Sequence, residues 1–253
     1  MQSVRIGSQV LVSLLVLSPS CHAQSPKSPH DSTVSVQELS MSAKARREYE
    51  KGTRLLVEGN AQASIEQFLR VVEERPRYYG PYHNLGLAYF HLGQYDAAAQ
   101  NFQKSIDLTG AGYAPSLYGL AMVLYRKGQP AQAEPLALRA FALQPSAAGK
   151  IGLGMVQLAL GHLSDAECSA HDAIQLNPAL ADGYFLLATI HERQQNPAAV
   201  VGDIQTYLKL APHDSLRPAA QALLDRAQKA LSSESASLHD VFPPVASTIA
   251  GCP

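Results

Sequence analysis

One spacing constrains this chain more than any other property it has. Gly59, Gly93, Gly128 and Gly161 recur at steps of 34, 35 and 33 residues, and Gln195 follows 34 residues later. A second marker, offset by about 17 residues, runs Pro76, Gly110, Pro145, Pro178 and Pro212 with steps of 34, 35, 33 and 34. Two markers of different chemistry keep one drifting rhythm, which identifies a tandem array. A unit of that length cannot bury an apolar face alone and must stack on its neighbours.

Between the markers lie apolar runs in one phase: His83–Tyr89, Leu120–Leu124, Leu153–Gln157 and Leu187–His191. Each runs up to a glycine-type marker, which suits a left-handed helix end. A second apolar stretch then runs to the proline-type marker, which a helix cannot continue through. Every unit therefore reads as a helix–turn–helix. Gly52, Gly86, Ala121, Gly154 and Ala188 fall midway along the first helices, with Ser64, Ala98, Ala133, Ala166 and Val200 opposite on the second. Small residues there let paired helices approach, and larger ones such as Phe68, Phe102, Leu120 and Leu187 fill the space between units.

In the second unit Tyr82, Leu85, Gly86, Tyr89, Gly93, Tyr95, Ala98 and Phe102 stand where the tetratricopeptide repeat places its signature residues, so the chain resembles that family. The resemblance implies an all-α, right-handed superhelical solenoid of five repeats, at about 45–78, 79–113, 114–146, 147–180 and 181–214. A capping helix follows at about 215–231, which completes a repeat domain over 43–231. Three departures stand out. Lys51 occupies a usual leucine position, and Ala137 and Ala170 replace the large aromatic of the second helix. Pro135 lies beyond the first turn of a helix that Pro130 starts, which predicts a kink or a late start.

The flanks read differently. Arg5, the apolar run Val10–Leu17 and Cys21-His22-Ala23 form an export leader over residues 1–23, too short to span a bilayer. The expected location is exported: periplasmic, envelope-associated or secreted. A lipid anchor on Cys21 is the competing reading, but Ser18 stands where the lipoprotein pattern favours leucine. Residues 24–42 are a Ser/Pro/Thr-rich linker, and 232–253 revert to a Ser/Ala/Pro-rich tail expected to be disordered. In an exported chain Cys168 and Cys252 either pair or remain thiols. No later stretch is a transmembrane candidate. A net charge of −1, with basic and acidic residues interleaved, gives no electrostatic footing for nucleic acid.

The family likeness implies a groove lined by first helices that receives a partner peptide. Carried onto this sequence, its inward-facing residues are Tyr49, Thr53 and Leu56, then His83, Asn84, Leu87, Phe90 and His91. Later units add Tyr118, Met122, Tyr125, Ile151, Met155, Phe185 and Thr189. Such an apolar and aromatic set fits an apolar or amphipathic segment. The carboxylate clamp of the chaperone-binding branch is not expected, because only Asn84 matches while Tyr49, Thr53, Pro115 and Gly119 stand at the other positions. No phosphate loop, nucleophile elbow or paired-cysteine zinc spacing occurs, so no catalytic residue, cofactor or metal ligand is assigned. His162, Cys168, His171 and His191 are the residues that a metal reading would draw on. The expected role is a non-enzymatic adaptor in the bacterial envelope holding a protein or peptide partner. The alternative is a structural envelope protein that assembles with itself.

Overall fold

A computed structural model describes residues 41–241, which divide into two compact units at Pro178 and Ala179. The first unit holds α1 (Ala43–Val57), α2 (Ala61–Glu74), α3 (Tyr79–His91), α4 (Tyr95–Leu108), α5 (Ala114–Arg126), α6 (Pro130–Leu143), α7 (Ala147–Leu160) and α8 (Leu163–Leu176). The second holds α9 (Ala181–Arg193), α10 (Pro197–Leu210) and α11 (Arg217–Val241). There is no strand among the described residues. The expected leader with Cys21, nearly all of the linker, and Cys252 lie outside them.

The glycine beat is a backbone device. Gly59, Gly93, Gly128 and Gly161 have φ between 71° and 82°, and Gln195 adopts the same left-handed turn at φ 57°. Behind each, the next residue's N–H reaches back to a carbonyl five residues earlier. The pairs are Asn60 to Leu55, Gln94 to Tyr89, Gln129 to Leu124, His162 to Gln157 and Asn196 to His191, at 2.8–3.0 Å. That bond closes the carbonyls a helix end leaves free. Ser42, Asn60, Ser146 and Asn196 cap helix starts by accepting from the backbone N–H three residues on.

Within the first unit each first helix packs on its own second helix, and each second helix packs on the next first helix. Successive first helices also touch, α1 to α3, α3 to α5 and α5 to α7, with no comparable set joining the second helices. The stack therefore closes up on the first-helix side. Phe102 shows how the join is made. Its fully buried ring fills the space a side chain would need at Gly86 in its own hairpin and at Gly119 in the next one. Phe68 does the same at Gly52. Ala98, Ile106, Leu117, Leu120 and Val123 complete the core around Phe102.

In the second unit α11 packs on α10, and Arg226 grips Glu192 of α9 at 2.7 Å. Phe185 and Tyr207 stack at 5.2 Å between ring centres. Two helix bounds bear on the expectations. Helix α6 starts at Pro130 and runs through Pro135 without delay. The ring leaves the Ala131 carbonyl without its donor, but both residues are exposed, so water can take that bond. Helix α11 continues past residue 231 to Val241, because no proline interrupts the sequence before Pro243.

A candidate partner-binding wall

The first helices α1, α3 and α5 form the exposed face of greatest interest. Tyr49, Leu56, His83, Asn84, Leu87, Phe90, Tyr118 and Tyr125 are half-buried on them, while Thr53 and His91 are exposed. Three of these residues occupy equivalent positions and do equivalent work. The Tyr49 hydroxyl reaches Gly80 of α3, and its ring lies 5.8 Å from Phe68 and 5.6 Å from Tyr78 between ring centres. His83 Nδ1 lies 3.0 Å from Ser116 Oγ of α5. Tyr118 covers Gly152 of α7 and donates its hydroxyl to the Ala148 carbonyl at 3.3 Å. Each one tethers its helix to the next first helix while keeping one edge open. Thr53 spends its hydroxyl on the Tyr49 carbonyl of its own helix.

His83 shows what this packing does to a titratable group. Ser116 is sealed and hydrogen-bonds the equally sealed Ser105 at 2.8 Å, so His83, Ser116 and Ser105 form a continuous chain. Its ring also meets Phe102 and the edge of Tyr113. Burial lowers its pKa from the ordinary 6.5 to about 4, and the ring is neutral at physiological pH. The chain of three is a polar rivet.

Five residues placed on the groove by sequence are buried instead. Met122 belongs to the core cluster of Ala121, Ala133, Ala137, Leu153 and Val156. The short Ala137, standing where an aromatic is usual, leaves the volume that Met122 fills. Ile151 and Met155 lie on α7, where every residue from Ile151 to Leu158 is buried. Phe185 and Thr189 lie on α9, buried without interruption from Phe185 to Ile190. A helix apolar all round is an interior helix, and both segments lack charge over those stretches. That signal was present in the sequence. Among the described residues no three His, Cys, Asp or Glu side chains converge on a metal position. His162 faces Glu134 and His171 faces Glu167, while His191 meets Asp203 at 2.6 Å in the second unit. Cys168 is exposed on α8.

Sequence reasoning missed Arg126. It ends α5 with its guanidinium over the rings of Tyr95 and Phe90, 5.1 and 5.8 Å from their centres. The signal that could have found it is sign segregation. Helices α3, α5 and α7 carry no acidic residue, whereas α4, α6 and α8 carry Asp96, Asp107, Glu134, Asp165, Glu167 and Asp172.

The sequence pattern of the tetratricopeptide repeat matches residues 77–146, which span α3 to α6 and so the α3–α5 part of the wall. Residues 77–146 are tetratricopeptide repeats. Solved structures agree on the fold. PilW, a type IV pilus biogenesis factor, superposes with a TM-score of 0.69 at 13% identity, over 81% of this chain and 96% of that one. YrrB, a repeat protein with an unusual peptide-binding site, gives 0.55 at 19% identity, over 70% and 92%. The human protein O-mannosyl-transferase TMTC1 is 27% identical over 132 residues, 52% of this chain. This repeat protein spans only 15% of that human protein's length, and the likeness reaches no further than that stretch. Tetratricopeptide repeats are protein-interaction scaffolds, and no described helix is long and apolar enough to cross a membrane.

Proposed function

We propose that this protein is a non-catalytic adaptor that holds a segment of a partner protein against the α1–α3–α5 face. The observation that carries the reading is the partly open row Tyr49, Leu87, Phe90, Tyr118 and Tyr125 on helices whose first-helix side is drawn together. Aromatic and aliphatic side chains of that kind form interface centres when a second chain excludes water from them. The peptide-binding site of YrrB, on the same fold, supports the assignment by analogy.

The test is capture of a partner by wild-type protein and by a Leu87→Glu/Tyr125→Glu variant. Both positions are half-buried, so the charges need not enter the core. Recovery of the same partner in equal amount by both proteins refutes wall binding. We place the adaptor in the bacterial envelope on the basis of the leader-like residues 1–23. Fusing that segment to a reporter phosphatase active only after export tests it, and a silent reporter rejects the location.

A further inference from the structure

We infer that the wall selects a partner segment carrying a carboxylate beside apolar side chains, and that Arg126 seats the carboxylate. This rests on the adaptor reading above and specifies its ligand. Arg126 is half-buried, and none of its N–H groups reaches an acceptor among the described residues. Asp96, which adjoins Tyr95, is taken by Lys127 at 2.6 Å. Lys150, the other cation on the acid-free first helices, is occupied by Asp172 at 2.7 Å and stacked on Phe141. His83 is neutral, and burial lowers the pKa of His91 as well. The α3–α5 part of the wall thus presents one uncompensated cation and no carboxylate.

The geometry suits recognition. The guanidinium carbon lies over both Phe90 and Tyr95, whose ring centres are 5.8 Å apart. A cation held over aromatic rings makes no hydrogen bond to them, so its N–H donors remain available to grip a carboxylate. It also fixes the side chain beforehand, so less freedom is lost on binding. Phe90 and Leu87 lie within one turn on α3, and Tyr125 adjoins Arg126 on α5. Apolar groups flanking the carboxylate would rest there. An acidic ligand is attracted and a basic one repelled, which sets specificity more than raw affinity.

The experiment uses short fluorescein-labelled peptides with amidated ends and one shared Leu/Phe pattern, differing only in a central Glu, Gln or Lys. Binding to the full chain is read by polarisation. The Glu peptide should bind wild type about tenfold more tightly than the Gln peptide, a ratio that shrinks as salt rises. In Arg126→Gln the ratio should fall to one, and in Arg126→Glu the Lys peptide should become the preferred one. A ratio taken within each variant cancels any general damage to the wall. A Glu-to-Gln ratio of one in wild type, or an unchanged ratio in Arg126→Gln, overturns the inference. If the peptides bind and Leu87→Glu abolishes binding without any Glu preference, this inference falls and the adaptor reading stands. If no peptide binds, or Leu87→Glu changes nothing, both fall.

Discussion

Replacing Gly119 with alanine should destabilise the protein, although the same change usually strengthens a helix. A carbon built at that position lies 2.5 Å from Cε1 and Cζ of Phe102. Carbon pairs rest at about 3.5–4.0 Å, so the ring must retreat by roughly 1 Å. Its retreat is blocked, because a Cβ at Gly86 would already stand 2.7 Å from the ring on the other hairpin helix. Overpacking of this kind costs about 1–3 kcal/mol, and the helix preference of alanine returns about 1 kcal/mol. With the ring held by both helices the cost lies at the top of that range, about 3 kcal/mol, so the net loss should be about 2 kcal/mol. At an m value of roughly 2 kcal/mol per molar urea, the unfolding midpoint falls by about 1 M. Two comparisons make the result interpretable. In a Phe102→Leu background, where the far ring atoms are gone, Gly119→Ala should become neutral or stabilising. Gly202→Ala, on the exposed side of α10 with nothing within 4 Å, should stabilise by about 1 kcal/mol. A Gly119→Ala protein as stable as wild type, or additivity with Phe102→Leu, refutes the wedge.

Gln195→Gly should stabilise the second unit by about 0.5–1 kcal/mol in thermal melts, since it removes the cost of a side chain at φ 57°. His83 should make the first unit acid-sensitive. Its pKa is about 4 folded against 6.5 unfolded, so the unfolded chain binds more protons in that window and stability falls as pH drops through it. The loss, up to about 3 kcal/mol and less where the ring keeps water contact, should vanish in His83→Gln. Asp182 carries the opposite sign. Burial, with Asp214 nearby, raises its pKa from 3.8 to about 6, so its charged form costs stability above pH 6 and that cost disappears toward pH 4. Urea melts of Asp182→Asn should show a gain of about 1–2 kcal/mol at pH 7.5 and none at pH 4.

The features readable from sequence are those that one residue type decides alone. A left-handed helix end wants glycine and a helix stop wants proline, so period and hairpin order follow from Gly93, Gly128, Pro145 and their equivalents. Even Gln195 was found by phase, although its chemistry gave no hint. The candidate site was less legible, because inward phase on a first helix does not separate a groove from an interior. Leu87 and Met122 are equivalent by phase, yet Leu87 is partly open and Met122 is sealed. What separates them is the volume of a residue on another helix, Phe102 in one hairpin and Ala137 in the next. Arg126 escaped for a related reason. Its meaning depends on what is missing around it, and a search for motifs does not look for missing acids.

That missing charge also sets the α3–α5 part of the wall apart. A helix in water carries charges on its outer face, and a helix without them must be covered. Helix α7 meets the requirement by burial, with eight successive buried residues from Ile151 to Leu158. Helices α3 and α5 carry equally little charge, yet Leu87, Phe90, Tyr118 and Tyr125 keep part of their surface in contact with water. The chain shows no shortage of acidic residues, since it places them freely on α4, α6 and α8. Two adjacent helices kept free of acid and left partly uncovered fit a surface whose remaining cover arrives from another molecule. A single braced arginine at its edge sets the sign of what that molecule brings.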